Sequence, residues 1–141
     1  MERKVIIVGA GPVGCYLAQL LKLNGCNPLV IEEHNEIGRP IHCTGLVGSK
    51  VFSEKRAFKL PTSSILNVIN GAVINYGRQS FTIKRNKVAY VIDRERFDKG
   101  LSIGLNIVCS NKFLGLERTK SNKYIVDTDK GEFIADLIIG A

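Results

Sequence analysis

Six residues near the N-terminus have the spacing of a phosphate-binding turn. They read Gly9-Ala10-Gly11-Pro12-Val13-Gly14, which is a G-x-G-x-x-G sequence. The first glycine permits a tight turn, the second lets a pyrophosphate approach the backbone, and the third lets a helix pack closely on a strand. The anion would lie at the N-terminus of that helix, where amide groups and the helix dipole favour negative charge. A glycine-rich turn also serves purely structural ends, so the surrounding sequence decides between the two interpretations.

An acidic residue follows the motif at the distance expected for a ribose contact. Glu32 lies 18 positions after Gly14, at the predicted end of the second strand. A carboxylate there can accept hydrogen bonds from both ribose hydroxyls of an adenosine, whereas it would repel the phosphorylated ribose of NADP. The alternative interpretation is an exposed acid at a strand end. We expect the neighbouring Glu33 to face solvent.

Cysteine and histidine spacing argues against a metal centre. The four cysteines (Cys15, Cys26, Cys43 and Cys109) contain no C-x-x-C pair, and His34 and His42 have no ligand-spaced Asp or Cys, so we expect no metal. Unpaired cysteines indicate a reduced, intracellular protein. Cys15, Cys26 and Cys109 are assigned to packing, and Cys43 is either a simple loop thiol or a functional group. Hydrolase motifs of the G-x-S-x-G and H-E-x-x-H types are absent from the sequence.

The elements that position these residues follow from apolar spacing. A β-branched run at residues 5–8, helical periodicity from Val13 to Gly25, and a second apolar run at 29–31 predict a right-handed βαβ unit. Residues 34–48 are predicted to form a loop, followed by a short helix over about residues 49–58. Within 65–92 we predict a hairpin plus one more strand, and Asp93 is the expected N-cap of a helix over 94–101. The remaining predicted strands are 106–109, 113–118, 124–128, 133–135 and 137–139.

These elements predict an α/β fold of the Rossmann-like, dinucleotide-binding class. The strands beginning at Val5, Leu29, Asn106 and Leu137 would form a parallel sheet, with a helix on one face and an antiparallel meander, residues 113–135, on the other. Residues 1–64 and 93–141 would make up the nucleotide-binding domain. Residues 65–92 would be strands of a substrate domain that is incomplete here.

Composition sets the broad class. The 141 residues are 45% hydrophobic and 23% charged, which suits one globular domain, and the net charge of +7 is spread along the chain. Such a charge suits an anionic ligand, a membrane surface, or solubility alone. Neither a convincing signal peptide nor an apolar stretch long enough to span a bilayer is present in the sequence. We therefore expect a cytoplasmic location, with peripheral membrane contact as an option, and no nucleic-acid partner.

Three segments carry a resemblance to a known group of flavoproteins. Val5-Ile6-Ile7-Val8 before the glycines, Pro12 within them and Leu29-Val30-Ile31-Glu32 after them resemble the FAD-binding domain of glutathione-reductase-like flavoproteins, in the p-hydroxybenzoate hydroxylase branch. Glu36-Ile37-Gly38-Arg39-Pro40-Ile41-His42-Cys43-Thr44-Gly45-Leu46 is similar to a loop that runs past the flavin in the geranylgeranyl reductase family. Val91-Ile92-Asp93-Arg94-Glu95-Arg96-Phe97-Asp98 is similar to the branch's second flavin-contacting segment, in which the arginine lies beside the cofactor.

The resemblance implies a cofactor, a site and a reaction. FAD would be bound by Gly9, Gly11, Pro12, Val13, Gly14, Glu32, Cys43, Thr44, Gly45, Arg94 and Phe113, with Phe113 near the adenine. Cys43 would be catalytic, and the enzyme would reduce isoprenoid double bonds of a lipid precursor. The alternatives are a flavin-dependent aromatic hydroxylase acting on a small molecule, or a non-catalytic module that binds NAD or FAD. The electron donor stays open.

This sequence departs from the family pattern in three places. The helix after Arg94 has room for only about two turns, and the loop after Cys43 is one residue shorter than in many members. Family members also continue past a segment like Asp136 to Ala141 with an Asp-Gly pair that holds the cofactor. We therefore expect the chain to correspond to the N-terminal portion of a larger enzyme and not to turn over alone.

Overall fold

The computed structural model describes residues 3–53 and 57–141 of the chain. These residues form ten strands, three α-helices and one 3-10 helix, Thr62–Ser64. The strands are, in chain order, β1 (Val5–Val8), β2 (Leu29–Ile31), β3 (Leu46–Gly48), β4 (Ile65–Tyr76), β5 (Gln79–Ile92), β6 (Asn106–Val108), β7 (Phe113–Arg118), β8 (Tyr124–Thr128), β9 (Gly131–Ala135) and β10 (Leu137–Gly140). The helices are α1 (Pro12–Leu23), α2 (Lys50–Ser53) and α3 (Arg94–Ser102).

A four-stranded parallel sheet in the order β10-β1-β2-β6 is the centre of the fold. In the register of this sheet, Ile7 lies opposite Ile139 on one side and Val30 on the other. The strands are short β-branched runs, which suits a sheet that is covered on both faces. The predicted fold class, the four strands predicted for this sheet and their parallel pairing are confirmed.

Successive residues of β1 point to opposite faces of this sheet and belong to two separate cores. Ile7 and Val30 are fully buried in the cluster that includes Ala18 of α1, together with residues of α3. Ile6 packs instead with Val126 of the β7-β8-β9 meander. The period-two alternation of a strand thus places the helix on one face and the meander on the other, as predicted.

Local signals begin and end the two longer helices where the sequence predicts. Pro12 occupies the first turn of α1, and Gly25, with φ of +80°, follows its C-cap Asn24. At α3, the Asp93 side chain accepts a hydrogen bond from the Arg96 amide at 3.0 Å, which confirms the predicted N-cap.

The antiparallel sheet β3-β5-β4 differs from the prediction. The expected third strand within 65–92 is wrong, because β4 and β5 form one long hairpin with bulges between Ile65 and Asn67 and between Ile69 and Gly71. Pairing of β4 with β5 resumes on the other side of the polar segment around Lys87, whose amide donates to the Asn70 side chain at 3.0 Å. A bulge absorbs the extra residues there, so a break in the apolar pattern does not end the strand.

The predicted loop over residues 34–48 is also partly wrong. Its last three residues form β3, which pairs with β5, so the boundary predicted at residue 64 falls between two strands of one sheet. The assignment of 65–92 to a separate substrate domain stays a prediction. The helix expected over about residues 49–58 is confirmed only at Lys50–Ser53, as α2; residues 54–56 of that prediction lie outside the described residues, and residues 57 and 58 are not helical.

No helix formed by residues 3–53 or 57–141 is both long and apolar enough to cross a membrane.

Candidate functional site

A cavity of about 480 Å³ opens at the carboxyl ends of β1 and β2. This edge of an open parallel sheet is where ligands bind in doubly wound folds. Seven of the predicted site residues line it, namely Gly9, Gly11, Pro12, Glu32, Cys43, Arg94 and Phe113. The predicted site residues Val13, Gly14, Thr44 and Gly45 lie outside that lining.

The glycine turn has the geometry that its spacing predicts. Gly9 has φ of +105° and its amide donates to the Ile31 carbonyl at 2.8 Å, which holds the turn against the end of β2. A Cβ atom at Gly14 would lie 2.0 Å from the Gly9 carbonyl oxygen, so only glycine allows α1 to approach β1 this closely. A Cβ atom at Gly11 would meet nothing within 4 Å, which leaves open space beside the backbone.

The N-terminus of α1 is suited to an anion. Its N-cap, Gly11, provides no side-chain hydrogen bond, and its first turn carries no acidic residue. Amide groups of the first helical turn lack intrahelical partners, and the helix dipole favours negative charge there. The cavity therefore has a positive end formed by the backbone.

Glu32 is 8% exposed and is held by three donors. The Ala10 amide donates to Oε2 at 2.7 Å, and the His34 amide donates to Oε1 at 3.0 Å. The His34 ring Nδ1 also lies 2.6 Å from Oε1. Burial acts to raise the pKa of Glu32, but these hydrogen bonds together hold it below its ordinary value. The carboxylate is therefore an ionised acceptor at the mouth of the glycine turn, and the neighbouring Glu33 is exposed as predicted.

Cys43 is exposed and faces the cavity with two donors on its sulfur. The Gly45 amide lies 3.5 Å from Sγ, and the Arg94 guanidinium also donates to Sγ. The two hydrogen bonds, that of Gly45 first, and the Arg94 charge lower the pKa of this thiol. Cys15 shows the contrast, because burial raises the pKa of its thiol to about 12. Cys43 is therefore the acidic thiol of this pair.

Four charged side chains, two exposed on the loop and two half-buried on α3, join the loop before Cys43 to that helix. Arg39 Nε lies 3.0 Å from Glu95 Oε2 and 3.7 Å from Glu36 Oε2. Lys99 binds both Glu36 and Glu95, the latter at 2.7 Å. Each such pair at the surface contributes little alone, but the network holds the loop across the first turns of α3.

Two residues of the site were not assigned to it from the sequence. The sequence predicts that His34 is not a metal ligand and gives it no other role, but its amide and its ring Nδ1 both contact Glu32 Oε1. The sequence predicts no role of its own for Asp98 within the flavin-contacting segment, although it lies four residues after Arg94 on one helix, which is the spacing of an ion pair. Arg94 Nη2 lies 3.0 Å from Asp98 Oδ2.

Comparisons with known proteins agree with this architecture. A family model described as NAD(P)-binding Rossmann-like domain matches residues 7–90. The digeranylgeranylglycerophospholipid reductase of Methanocaldococcus jannaschii is 31% identical over 121 residues, which cover 81% of this chain and 30% of that protein. This chain spans about a third of the length of the curated relatives it matches.

Solved structures share the whole of the described fold. A geranylgeranyl bacteriochlorophyll reductase-like protein from Thermoplasma acidophilum superposes with a TM-score of 0.80 at 26% identity, covering 99% of this chain and 39% of that chain. The structure of CtdE in complex with FAD has a TM-score of 0.73 at 19% identity, covering 100% of this chain and 38% of that chain, and shows the shared fold alone. The predicted resemblance and the predicted fold class are confirmed.

Proposed function

The chain belongs to the NAD(P)-binding Rossmann-like domain family, and we propose that it is the FAD-binding part of a flavin-dependent oxidoreductase of the geranylgeranyl reductase type. One observation carries the proposal. A single cavity is lined both by the glycine turn with Glu32 and by the Cys43 thiol with its Arg94 partner. The first pair of features suits a dinucleotide, and the second suits proton transfer beside it.

The residues of the cavity fit FAD. The open space at Gly11 and the uncapped start of α1 would accept the pyrophosphate, and Glu32 would accept the ribose hydroxyls. Phe113 lines the same cavity from the meander side, where we propose that it contacts the adenine. When bound, the reduced flavin supplies a hydride, and the protein supplies binding, orientation and protons.

Cys43 is proposed as the proton donor. Reduction of a carbon–carbon double bond adds a hydride to one carbon and a proton to the other, and a thiol of lowered pKa is a better acid than a free one. The proton would leave Cys43 Sγ, and the Arg94 and Gly45 donors would stabilise the thiolate that remains. We also propose that Thr44 and Gly45 hold the loop backbone in place for this contact. Gly45 is buried against β5, where the Ile92 amide donates to its carbonyl at 2.9 Å.

The proposed substrate is a prenyl lipid, and the proposed location is peripheral to a membrane. The β4–β5 hairpin supports both. It carries Arg78, Lys84, Arg85 and Lys87 with no acidic residue between residues 65 and 92. The apolar side chains of its distal part are exposed, namely Val73, Ile74, Tyr76, Phe81 and Ile83. Cations beside exposed apolar groups favour an anionic lipid surface.

A Cys43→Ser substitution in the protein that contains this chain tests the catalytic proposal. Serine keeps the size of the side chain but is a much weaker acid, so flavin content should be retained. The rate at which a polyprenyl substrate reoxidises the reduced flavin should fall about 10²–10⁴-fold. Cys26→Ser, outside the cavity, is the matched control and should change neither quantity. Unchanged reoxidation in Cys43→Ser would leave Cys43 a loop thiol.

An absorption spectrum tests the cofactor. The protein as purified should show the visible bands of oxidised flavin, or acquire them on titration with FAD. A colourless protein that binds NAD and not FAD would instead favour a nicotinamide-binding module.

A further inference from the structure

A buried carboxylate lies directly behind the Cys43–Arg94 pair. Asp98 is 5% exposed, on the second turn of α3, and lines the same cavity. Burying a carboxylate is costly unless it is paired and hydrogen-bonded. The proton transfer proposed for Cys43 does not itself use Asp98, so the retention of a charge at this depth requires a separate explanation.

Asp98 binds the Arg94 guanidinium with both oxygens. Arg94 Nε donates to Oδ1 at 3.3 Å and Nη2 donates to Oδ2 at 3.0 Å. Such a two-point contact fixes the plane of the guanidinium as well as its distance. The Arg94 side chain is itself only 19% exposed, so it has few other positions available.

The Arg94 side chain lines the same cavity as Cys43, and after the Gly45 amide it is the next group that lowers the pKa of the Cys43 thiol. A planar guanidinium has five N–H groups in a rigid fork, so holding one edge on Asp98 fixes where the remaining donors point. The loop that bears Cys43 crosses α3 at Gly38, where a Cβ atom would lie 2.9 Å from the Glu95 Cα and 3.4 Å from the Asp98 Cβ. The loop that bears Cys43, the Arg94 guanidinium and the Asp98 carboxylate therefore pack closely against one another.

We propose that Asp98 is a positioning residue, which holds the Arg94 guanidinium in place beside the Cys43 thiol in the cavity. The catalytic meaning of this role rests on the proton-donor function proposed above. The contact itself does not, because it is a property of the chain without cofactor or substrate.

The position of the Asp98 carboxylate and its negative charge shift the pKa of the Cys43 thiol in opposite directions. The hydrogen bond from Arg94 lowers the pKa of Cys43, whereas the negative charge of Asp98 raises it by a smaller amount. If positioning dominates, removing Asp98 frees the guanidinium and the thiol becomes less acidic. If only the charge matters, removing it makes the thiol more acidic. The direction of the change therefore separates the two roles.

Other charged groups surround the thiol, and the comparison of Asp98 variants with the wild-type protein leaves all of them unchanged. Arg94 and Asp98 are the charged side chains that act on Cys43 from α3. The remaining titratable side chains that line the cavity are Glu32, Glu33, His34, Glu36, Arg39 and His42.

The test is the pH dependence of Cys43 alkylation by iodoacetamide, followed peptide by peptide by mass spectrometry so that each cysteine is read separately. In Asp98→Asn the midpoint should rise by about one pH unit, which is about a tenfold lower rate at pH values well below it. Glu117→Gln removes one negative charge from an exposed residue of β7 that lies outside the cavity lining. This control should leave the Cys43 midpoint unchanged.

Asp98→Glu keeps the charge and displaces the carboxylate, so it keeps the proposal testable if Asp98→Asn does not fold. Positioning predicts a raised midpoint in this variant, and a pure charge effect predicts none. An unchanged or lowered Cys43 midpoint in a folded variant would overturn the proposal. A raised midpoint in Asp98→Asn together with unchanged flavin reoxidation in Cys43→Ser would confirm the positioning role and reject the proton-donor function.

Discussion

Glu32 shows how a residue chosen by spacing is prepared by its neighbours. Its carboxylate already accepts hydrogen bonds from the Ala10 and His34 amides, so its orientation is fixed before any ligand arrives. Pre-organisation of this kind reduces the entropy that a ligand loses on binding. Because the folded pKa lies below the ordinary value, Glu32 stabilises the fold above its unfolded pKa, and that contribution is lost as pH falls through the folded pKa.

Replacing Glu32 by Gln should weaken FAD binding by about 1–3 kcal/mol, which is the scale of a hydrogen bond to a charged acceptor. The side-chain amide of Gln has one oxygen where the carboxylate has two, so the backbone amides of Ala10 and His34 cannot both find an acceptor. The free energy of unfolding should therefore also fall. FAD titration and urea unfolding separate the two losses. Glu117→Gln makes the same charge change at an exposed residue outside the cavity lining and should leave both quantities unchanged. Equal FAD affinity in wild type and Glu32→Gln would remove Glu32 from the site.

At the scale of elements, two glycines of the G-x-G-x-x-G turn have different roles. Gly14 allows α1 to pack on β1, because its missing Cβ would overlap the Gly9 carbonyl oxygen. Gly11 has an ordinary φ of −69° and no neighbour near its missing Cβ. The fold therefore needs glycine at position 14, whereas at position 11 it is the proposed pyrophosphate that needs it.

Gly14→Ala should destabilise the protein by about 1–3 kcal/mol, because the added methyl group forces the helix away from the strand. Gly11→Ala should change stability by less than about 0.5 kcal/mol while lowering FAD affinity, because the methyl group occupies the space proposed for the phosphate. Urea unfolding measures the stability of each variant, and FAD titration measures its affinity for FAD. A stable Gly14→Ala would contradict the close-packing role, and unchanged affinity in Gly11→Ala would place the pyrophosphate elsewhere.

At the scale of the whole molecule, the three sheets are covered unequally. The parallel sheet lies between α1 and the meander, whereas the distal part of the β4–β5 hairpin is exposed. Cross-strand pairing puts Ile74, Tyr76 and Phe81 on one face of this hairpin. Tyr76 is 86% exposed and Phe81 is 57% exposed. An apolar face of this size on a basic ribbon indicates an interaction surface.

The chain should bind vesicles that contain phosphatidylserine more tightly than vesicles of phosphatidylcholine alone, and added salt should weaken this binding. Replacing Lys84, Arg85 and Lys87 by Gln should cost about 3 kcal/mol, or roughly two orders of magnitude in affinity. Vesicle co-sedimentation measures this.

The matched control replaces three exposed lysines outside the hairpin, Lys112, Lys120 and Lys130, by Gln. An equal loss of binding in this control would show that net charge, and not the hairpin, attracts the vesicles.

The sequence alone determined the parts of this protein that depend on a few neighbouring residues. The glycine turn, the Asp93 cap and the short β-branched strands follow from local conformational preference and period, and Glu32 follows from its fixed distance after the turn. Tertiary structure decided the rest. The Ala10 amide on Glu32, the strand β3 and the undivided hairpin depend on hydrogen bonds between segments, which no local pattern records. The meeting of Cys43 with Arg94 and Asp98 depends on how closely a loop can cross α3, and Gly38 allows that approach only once both segments are folded.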